Sequence, residues 1–333
     1  FRGLGMKCSE WCSKASASFR RFTEDRLFSR LLPVVFLLVL VCVFSIATGG
    51  RFTSAQSMKV IVQQALIVAT VSTGACFIFA TNNVNLAMGA TTVLTAVLSG
   101  MAYNATNSVV VMVVVALLLG SVIMTVSALL STLLRVRVMF VTIVMMSLLS
   151  AVQESILGGS TISLPYEMIT MLTDMNFSYI AFGSFFIGCV ILFHFTDVGR
   201  SLRFIGTNST CAEQTGISRN KYMLIAFITA GVGCGIAALL AIVRAASIGS
   251  KTLSSLNMDC MLALVLGGMS IFGGSKSFAF AGVVGAVTVC VLNQGLLMVG
   301  VSSSIIQGIR GILFLILVCT AQTRPKGLPA PEG

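Results

Sequence analysis

The sequence predicts an all-α integral membrane protein of about ten transmembrane helices, and three observations lead there. Of its 333 residues 56% are hydrophobic and only 9% are charged, against about 25% charged in soluble domains, too few to solvate a globular surface. The apolar residues come in blocks long enough to cross hydrocarbon, not in alternating or narrow amphipathic patterns. The basic residues between the blocks fall mainly on one side of the resulting topology.

The blocks follow in order. Residues 1–30 form a polar, basic segment with seven Lys and Arg, and the first apolar run is Leu31–Ala47. Ser45-Ile46-Ala47 has the small-x-small form of a signal cleavage site, yet the run exceeds an ordinary signal core of roughly 7–15 residues, so a retained span is expected. Nine further runs lie near Met58–Ala80, Leu86–Ala102, Ser108–Leu134, Val138–Leu157, Phe177–Thr196, Tyr222–Val243, Met258–Phe272, Phe278–Val299 and Ser304–Thr320. Backbone groups in lipid must pair within their own segment, so these are expected to be helices. The domain expected is a membrane body over 31–322 with a tail at 323–333. With a cytoplasmic N-terminus, Arg135, Arg137, Arg200, Arg203, Arg219, Lys221, Lys276, Arg324 and Lys326 join the seven N-terminal bases inside. Arg51, Lys59, Arg244 and Lys251 fall outside, and Arg310 falls within the last run. That bias places both termini in the cytoplasm and assigns the net charge of +11 to topology and lipid, with no nucleic acid implied.

The loop 197–221 is the longest inner connection after the N-terminal segment, with four bases, Asp197, Glu213 and glycines 199, 206 and 216. Asn208, Ser209 and Thr210 are N-cap candidates for a short helix over Asn208–Gln214, which would present charge and shape to a cytoplasmic partner. A solvated turn is the other reading. Two polar interruptions stand out in the apolar blocks. Thr81-Asn82-Asn83-Val84-Asn85 with Gly89 is either a stretch of non-helical backbone lining a hydrated cavity or an Asn-rich turn. Gly267-Gly268-Met269-Ser270 with Gly273-Gly274 would break a span or let helices approach closely.

Other chemistries lack their residues. The cysteines number ten, most of them inside apolar runs, and the single histidine, His194, gives no metal set and no hydrolytic triad. No Walker motif occurs, so the chain itself is expected not to hydrolyse ATP, and no cofactor is called for. His194 is expected at a membrane interface. Glu154 and Arg310 either face a vestibule or snorkel to the surface.

Several stretches carry a resemblance. Thr196-Asp197-Val198-Gly199-Arg200, Gly206-Thr207-Asn208, Ala212 and Gly216-Ile217 come first, then Val265 through Lys276 with its paired glycines, Leu292-Asn293-Gln294-Gly295-Leu296, Gly300-Val301-Ser302-Ser303 and, upstream, Thr142-Ile143-Val144-Met145-Met146. In order and spacing the chain from about residue 30 onward resembles the permeases of bacterial ribose-type sugar ABC importers, relatives of the branched-chain amino-acid permeases. The resemblance implies the type II ABC importer permease fold in the bacterial inner membrane, paired with a second permease subunit, identical or not. It also implies a cytoplasmic ATPase and an extracytoplasmic solute-binding protein. Coupling to the ATPase would fall to Asp197, Gly199, Arg200, Arg203, Gly206, Asn208, Ala212, Glu213 and Gly216. The translocation path would involve Asn82, Asn83, Asn85, Gly89, Gly267, Gly268, Ser270, Gly273 and Gly274. The chain departs from the family pattern at Asn85, where a carboxylate is usual, at Ser277 in place of glycine, and at Ser150-Ala151 in place of Arg-Gly.

The function expected is therefore a permease subunit for a small polar solute, foremost a monosaccharide. Permeases for nucleosides or branched-chain amino acids remain alternatives, as does an ion-driven secondary transporter. The last would need an ionisable group near mid-membrane, and Glu154, His194 and Asp259 are all expected near span ends.

Overall fold

The computed structural model describes residues 26–174, 176–249, 252–269 and 280–321. The basic segment 1–25, the path candidates Ser270, Gly273 and Gly274, and the 323–333 tail lie outside the described residues. The chain is a bundle of helices: α1 (Arg26–Ala47), α2 (Ala55–Ala80), α3 (Met88–Thr106), α4 (Val109–Leu134), α5 (Val138–Leu157), α6 (Tyr166–Asp174), α7 (Phe177–Val190), α8 (Asp197–Thr207), α9 (Ser209–Gln214), α10 (Arg219–Ala245), α11 (Leu256–Leu266), α12 (Phe280–Met298) and α13 (Ser303–Ala321). A π-helical stretch, Ile191–Phe195, prolongs α7. Among the described residues six helical stretches are long and apolar enough to cross a membrane: α2, α4, α5, Phe177–Phe195, α10 and α12. The apolar stretches Pro33–Ala47, Leu256–Leu266 and Ser303–Val318 are shorter, and α3 is enriched in buried Thr and Ser (Thr91, Thr92, Thr95, Ser99).

Burial sorts these helices into a core and a rim. In α2, 83% of the most apolar window is buried, against 17% for Phe177–Phe195 and 22% for α4. The centre is α2, with α10 and α12 packed on it, and α10 also packs along α4. The α4–α10 seam is made by small residues: a methyl group on Gly120 would come within 2.5 Å of the Gly231 carbonyl oxygen, and one on Gly235 within 2.6 Å of that of Ala116. Close backbone approach of this kind is how helices associate where no hydrophobic force separates protein from solvent. Helices α11 and α12 are equally tight, since methyl groups on Gly267 and Gly285 would lie 1.9 Å from Ala281 O and 1.6 Å from Ala263 O. The outer face of α4 carries Val110, Val114, Leu118, Val122, Val126, Leu129 and Leu133, a helical stripe suited to hydrocarbon.

The two ends of the bundle differ. At one end β1 (Ile162–Ser163) and β2 (Ser247–Ile248) pair antiparallel, joining the connections that follow α5 and α10. At the other end α8 and α9 form an elbow between α7 and α10.

Candidate functional site: the elbow and the polar interior

The elbow is built residue by residue. Asp197 opens α8, where a carboxylate suits the positive helix end, and pairs with Arg200 one turn on. Gly199, Ser201, Leu202, Ile205 and Gly206 make the buried face of α8. Gly199 is required by contact: a methyl group there would stand 1.9 Å from the Phe193 carbonyl oxygen. Phe193 is fully buried and sits at the centre of the joint. Its ring meets Phe77 of α2 edge-on at 5.2 Å. The Arg203 guanidinium lies 5.4 Å from the centroid of the same ring, a cation–π contact of about 0.5–2 kcal/mol. Arg203 Nε also donates to the Gly199 carbonyl at 3.1 Å, so α8 is fixed to α2 and to the π-helical stretch together.

Asn208 then breaks the helix in extended conformation, and its Oδ1 accepts from the Cys211 N–H at 3.1 Å, capping α9. Ala212 is buried, while Thr210, Cys211, Glu213 and Gln214 face outward. Gly216, at φ +84°, closes α9: its own N–H donates to Glu213 O and that of Ile217 donates to Ala212 O, both at 3.0 Å, a Schellman ending that favours glycine. The nine coupling candidates thus occupy one continuous structure. Arg200, Arg219 and Lys221 are exposed around it.

The path candidates are more dispersed. Asn82 takes a left-handed turn at φ +60°, and Asn83 Nδ2 donates to Thr81 Oγ1 at 2.9 Å. Asn85 is 1% exposed. Its Oδ1 accepts from the Ala87 N–H at 2.8 Å, and its Nδ2 lies 3.1 Å from Met124 Sδ, on α4. The Leu86 N–H donates to Thr142 of α5 at 3.3 Å. The stretch is an Asn-stabilised turn of non-helical backbone set between α4 and α5, with the Leu86 and Ala87 N–H groups bonded to side chains. Gly89 abuts Asn257 of α11, whose Cβ would lie 3.3 Å from a methyl group there. Gly267 packs against α12, and Gly268, at φ +87°, closes α11.

The structure adds a cluster that sequence reasoning missed. Asp259 pairs with Arg310 Nη1 at 2.8 Å, with the side chains only 4% and 12% exposed. Arg310 Nε donates to Asn293 Oδ1 at 2.7 Å, and Ser255 Oγ donates to Asp259 Oδ2 at 3.1 Å. Arg310 thus takes neither of the roles expected for it, vestibule or surface. Asp259 is close to the start of its own helix, but it lines a cleft together with Ile67 and Val68, which stand at the middle of α2, and the next residue, Cys260, receives a hydrogen bond from Ser72. Helix α11 begins inside the bundle. Removing one member of a buried ion pair costs about 3–5 kcal/mol.

With this geometry in view, the comparisons decide the family. Residues 57–318 match the model of the branched-chain amino acid transport system / permease component family. The chain belongs to that family. It is 26% identical over 316 residues to the ribose import permease protein of Escherichia coli (strain K12), covering 91% of this chain and 97% of the relative. It is 30% identical over 270 residues to the autoinducer 2 import system permease protein of Yersinia enterocolitica serotype O:8, covering 79% of this chain and 73% of the relative. The corresponding protein of Salmonella typhimurium (strain LT2) is 30% identical over 261 residues. No solved structure matches. The chain is a multi-pass membrane permease, and the ion-driven alternative is not favoured.

Proposed function

We propose that this chain is the membrane-spanning subunit of an ATP-driven importer for a monosaccharide or a sugar-like molecule. The observation that carries the reading is the family match across the membrane body, joined to sugar-type relatives that align over most of their own length. In this reading the ten apolar segments cross the bilayer in the type II importer arrangement, with both termini and the elbow end in the cytoplasm. The positive-inside bias supports that orientation. Two permease subunits enclose the path, a cytoplasmic ATPase supplies the work, and an extracytoplasmic solute-binding protein delivers the cargo.

The elbow suits the coupling role. Helix α9 offers an outward polar face, while α8 is bolted through Phe193 to α2, so a displacement of α9 by a partner reaches the centre of the bundle. The turn at 81–87 and Gly89 border the core of α2, α4 and α10, where rearrangement would open and close a route. Solute binding along that route is expected to be weak, because passage requires release.

The test is reconstitution in proteoliposomes with the ATPase and the binding protein, using radiolabelled ribose as the first probe. Uptake that requires ATP and both partners, and that survives a protonophore, supports the reading. Uptake driven by a proton or sodium gradient without ATP overturns it.

A further inference from the structure

We propose that Asp259 and Arg310 form a latch at mid-height of the bundle, closed in this structure, which must open for solute to pass. The inference rests on the transport reading above. Four observations lead to it. First, α11 and α12 are locked backbone to backbone at Gly267 and Gly285, so they behave as one body. Second, α13 packs on the bundle along one stripe: Ile306 is fully buried and Leu313, Phe314 and Leu317 are partly buried against the core, while Ile305, Ile312, Leu315 and Ile316 face outward. The Arg310 guanidinium, bonded to both Asp259 and Asn293, is its polar fastening.

Third, Asp259 forms part of the wall of a cleft that it shares with Gln64, Thr252, Ser255 and Arg244. The cleft runs from the β1–β2 end, where Arg244 closes α10, down to the middle of α2. Fourth, Arg244 lines the same cleft and has no carboxylate partner among the described residues. The thiol of Cys290 is buried on α12, one turn before Asn293.

The arrangement supplies both states of a switch. With α13 seated, Asp259 is neutralised by Arg310. With α13 displaced, Asp259 faces the widened cleft, where water and Arg244 take over as its partners and Arg310 is left to Asn293. An apolar contact of the same size would fasten α13 as well or better, since buried ion pairs are poor sources of stability. A charged fastening in hydrocarbon is retained where it does a job.

The experiment uses the full chain in proteoliposomes, with N-ethylmaleimide labelling of native cysteines read by peptide mass spectrometry, and ribose uptake by the assembled importer. Asp259→Asn and Arg310→Gln each unlatch α13, so Cys290 becomes labelled while Cys76 and Cys234, buried elsewhere in the core, stay protected. Asp259→Leu combined with Arg310→Met fastens α13 without charge: Cys290 stays protected, yet uptake falls by more than about tenfold, because a fixed contact replaces a separable one. Wild-type uptake by the double variant overturns the proposal and leaves a plain fastener. Continued protection of Cys290 in both single variants overturns it, as does labelling of Cys76 and Cys234 together with Cys290, which marks a general structural role. If the unsubstituted importer takes up nothing with ATP, the transport reading fails while the labelling still decides whether the latch exists.

Discussion

Gly199 shows how much one missing methyl group decides. Its Cα faces the Phe193 carbonyl at a distance that admits no side chain. Gly199→Ala therefore forces α8 away from the π-helical stretch at a cost of about 1–3 kcal/mol, measurable as a lower unfolding midpoint in detergent. Gly183→Ala and Gly188→Ala, in open space on α7, are expected to leave the midpoint unchanged or raise it slightly. Gly216 is constrained differently, by its positive φ, and Gly216→Ala should destabilise the elbow by about 1–2 kcal/mol, read as faster amide exchange over 209–217. At this scale the sequence was legible where chemistry is local. Asn208 as a cap and the paired glycines as a break follow from residue type. The burial of Asp259 did not, because it depends on where α11 starts among the other helices, a tertiary fact without local pattern. Asn85 is similar: an Asn run spells a turn, but only Met124 of α4 and Thr142 of α5 bring that turn inside.

At the scale of the element, α8 and α9 divide the work of the elbow. Helix α8 is amphipathic and anchored, whereas α9 is a single short helix held by one cap and one glycine. Asn208→Ala removes the acceptor for the Cys211 N–H and should weaken α9 by about 0.5–2 kcal/mol. Asn208→Asp or Asn208→Ser should preserve it, and ATPase co-purification with the three variants makes the comparison. Charge reversal at Arg203 breaks both the Phe193 contact and the Gly199 bond. Reversal at Arg200 leaves α8 seated, because the Arg200 side chain is exposed. Arg203→Glu is therefore expected to lower stability and uptake together, and Arg200→Glu to impair ATPase association with stability unchanged, a split that thermal unfolding and pull-down resolve.

At the scale of the molecule, the fold class was readable because a bilayer permits so few solutions. Blocks of apolar length, scarce charge and one-sided bases leave a helical bundle as the answer. The order of packing was not readable from apolar content: α4, the more apolar of the two at a mean hydropathy of 3.0 against 1.7, is the rim and α2 the centre, and the close approach at Gly120, Gly231 and Gly235 appears only when α4 and α10 are side by side. The orientation can be checked on the native chain. Cys211 is exposed on the elbow, so a membrane-impermeant maleimide should label it in inside-out vesicles and spare it in right-side-out ones; the reverse result would invert the topology.

The crowding between Gly199 and Phe193 also bears on how portable this machinery is. Because α8 is moulded onto the five residues that precede Thr196, it is not a detachable adaptor. A chimera that imports only 197–217 from a relative would place a foreign knob in a socket shaped for another. Grafts that carry 191–217 as a block, with the aromatic at position 77 matched to it, should transfer partner choice intact.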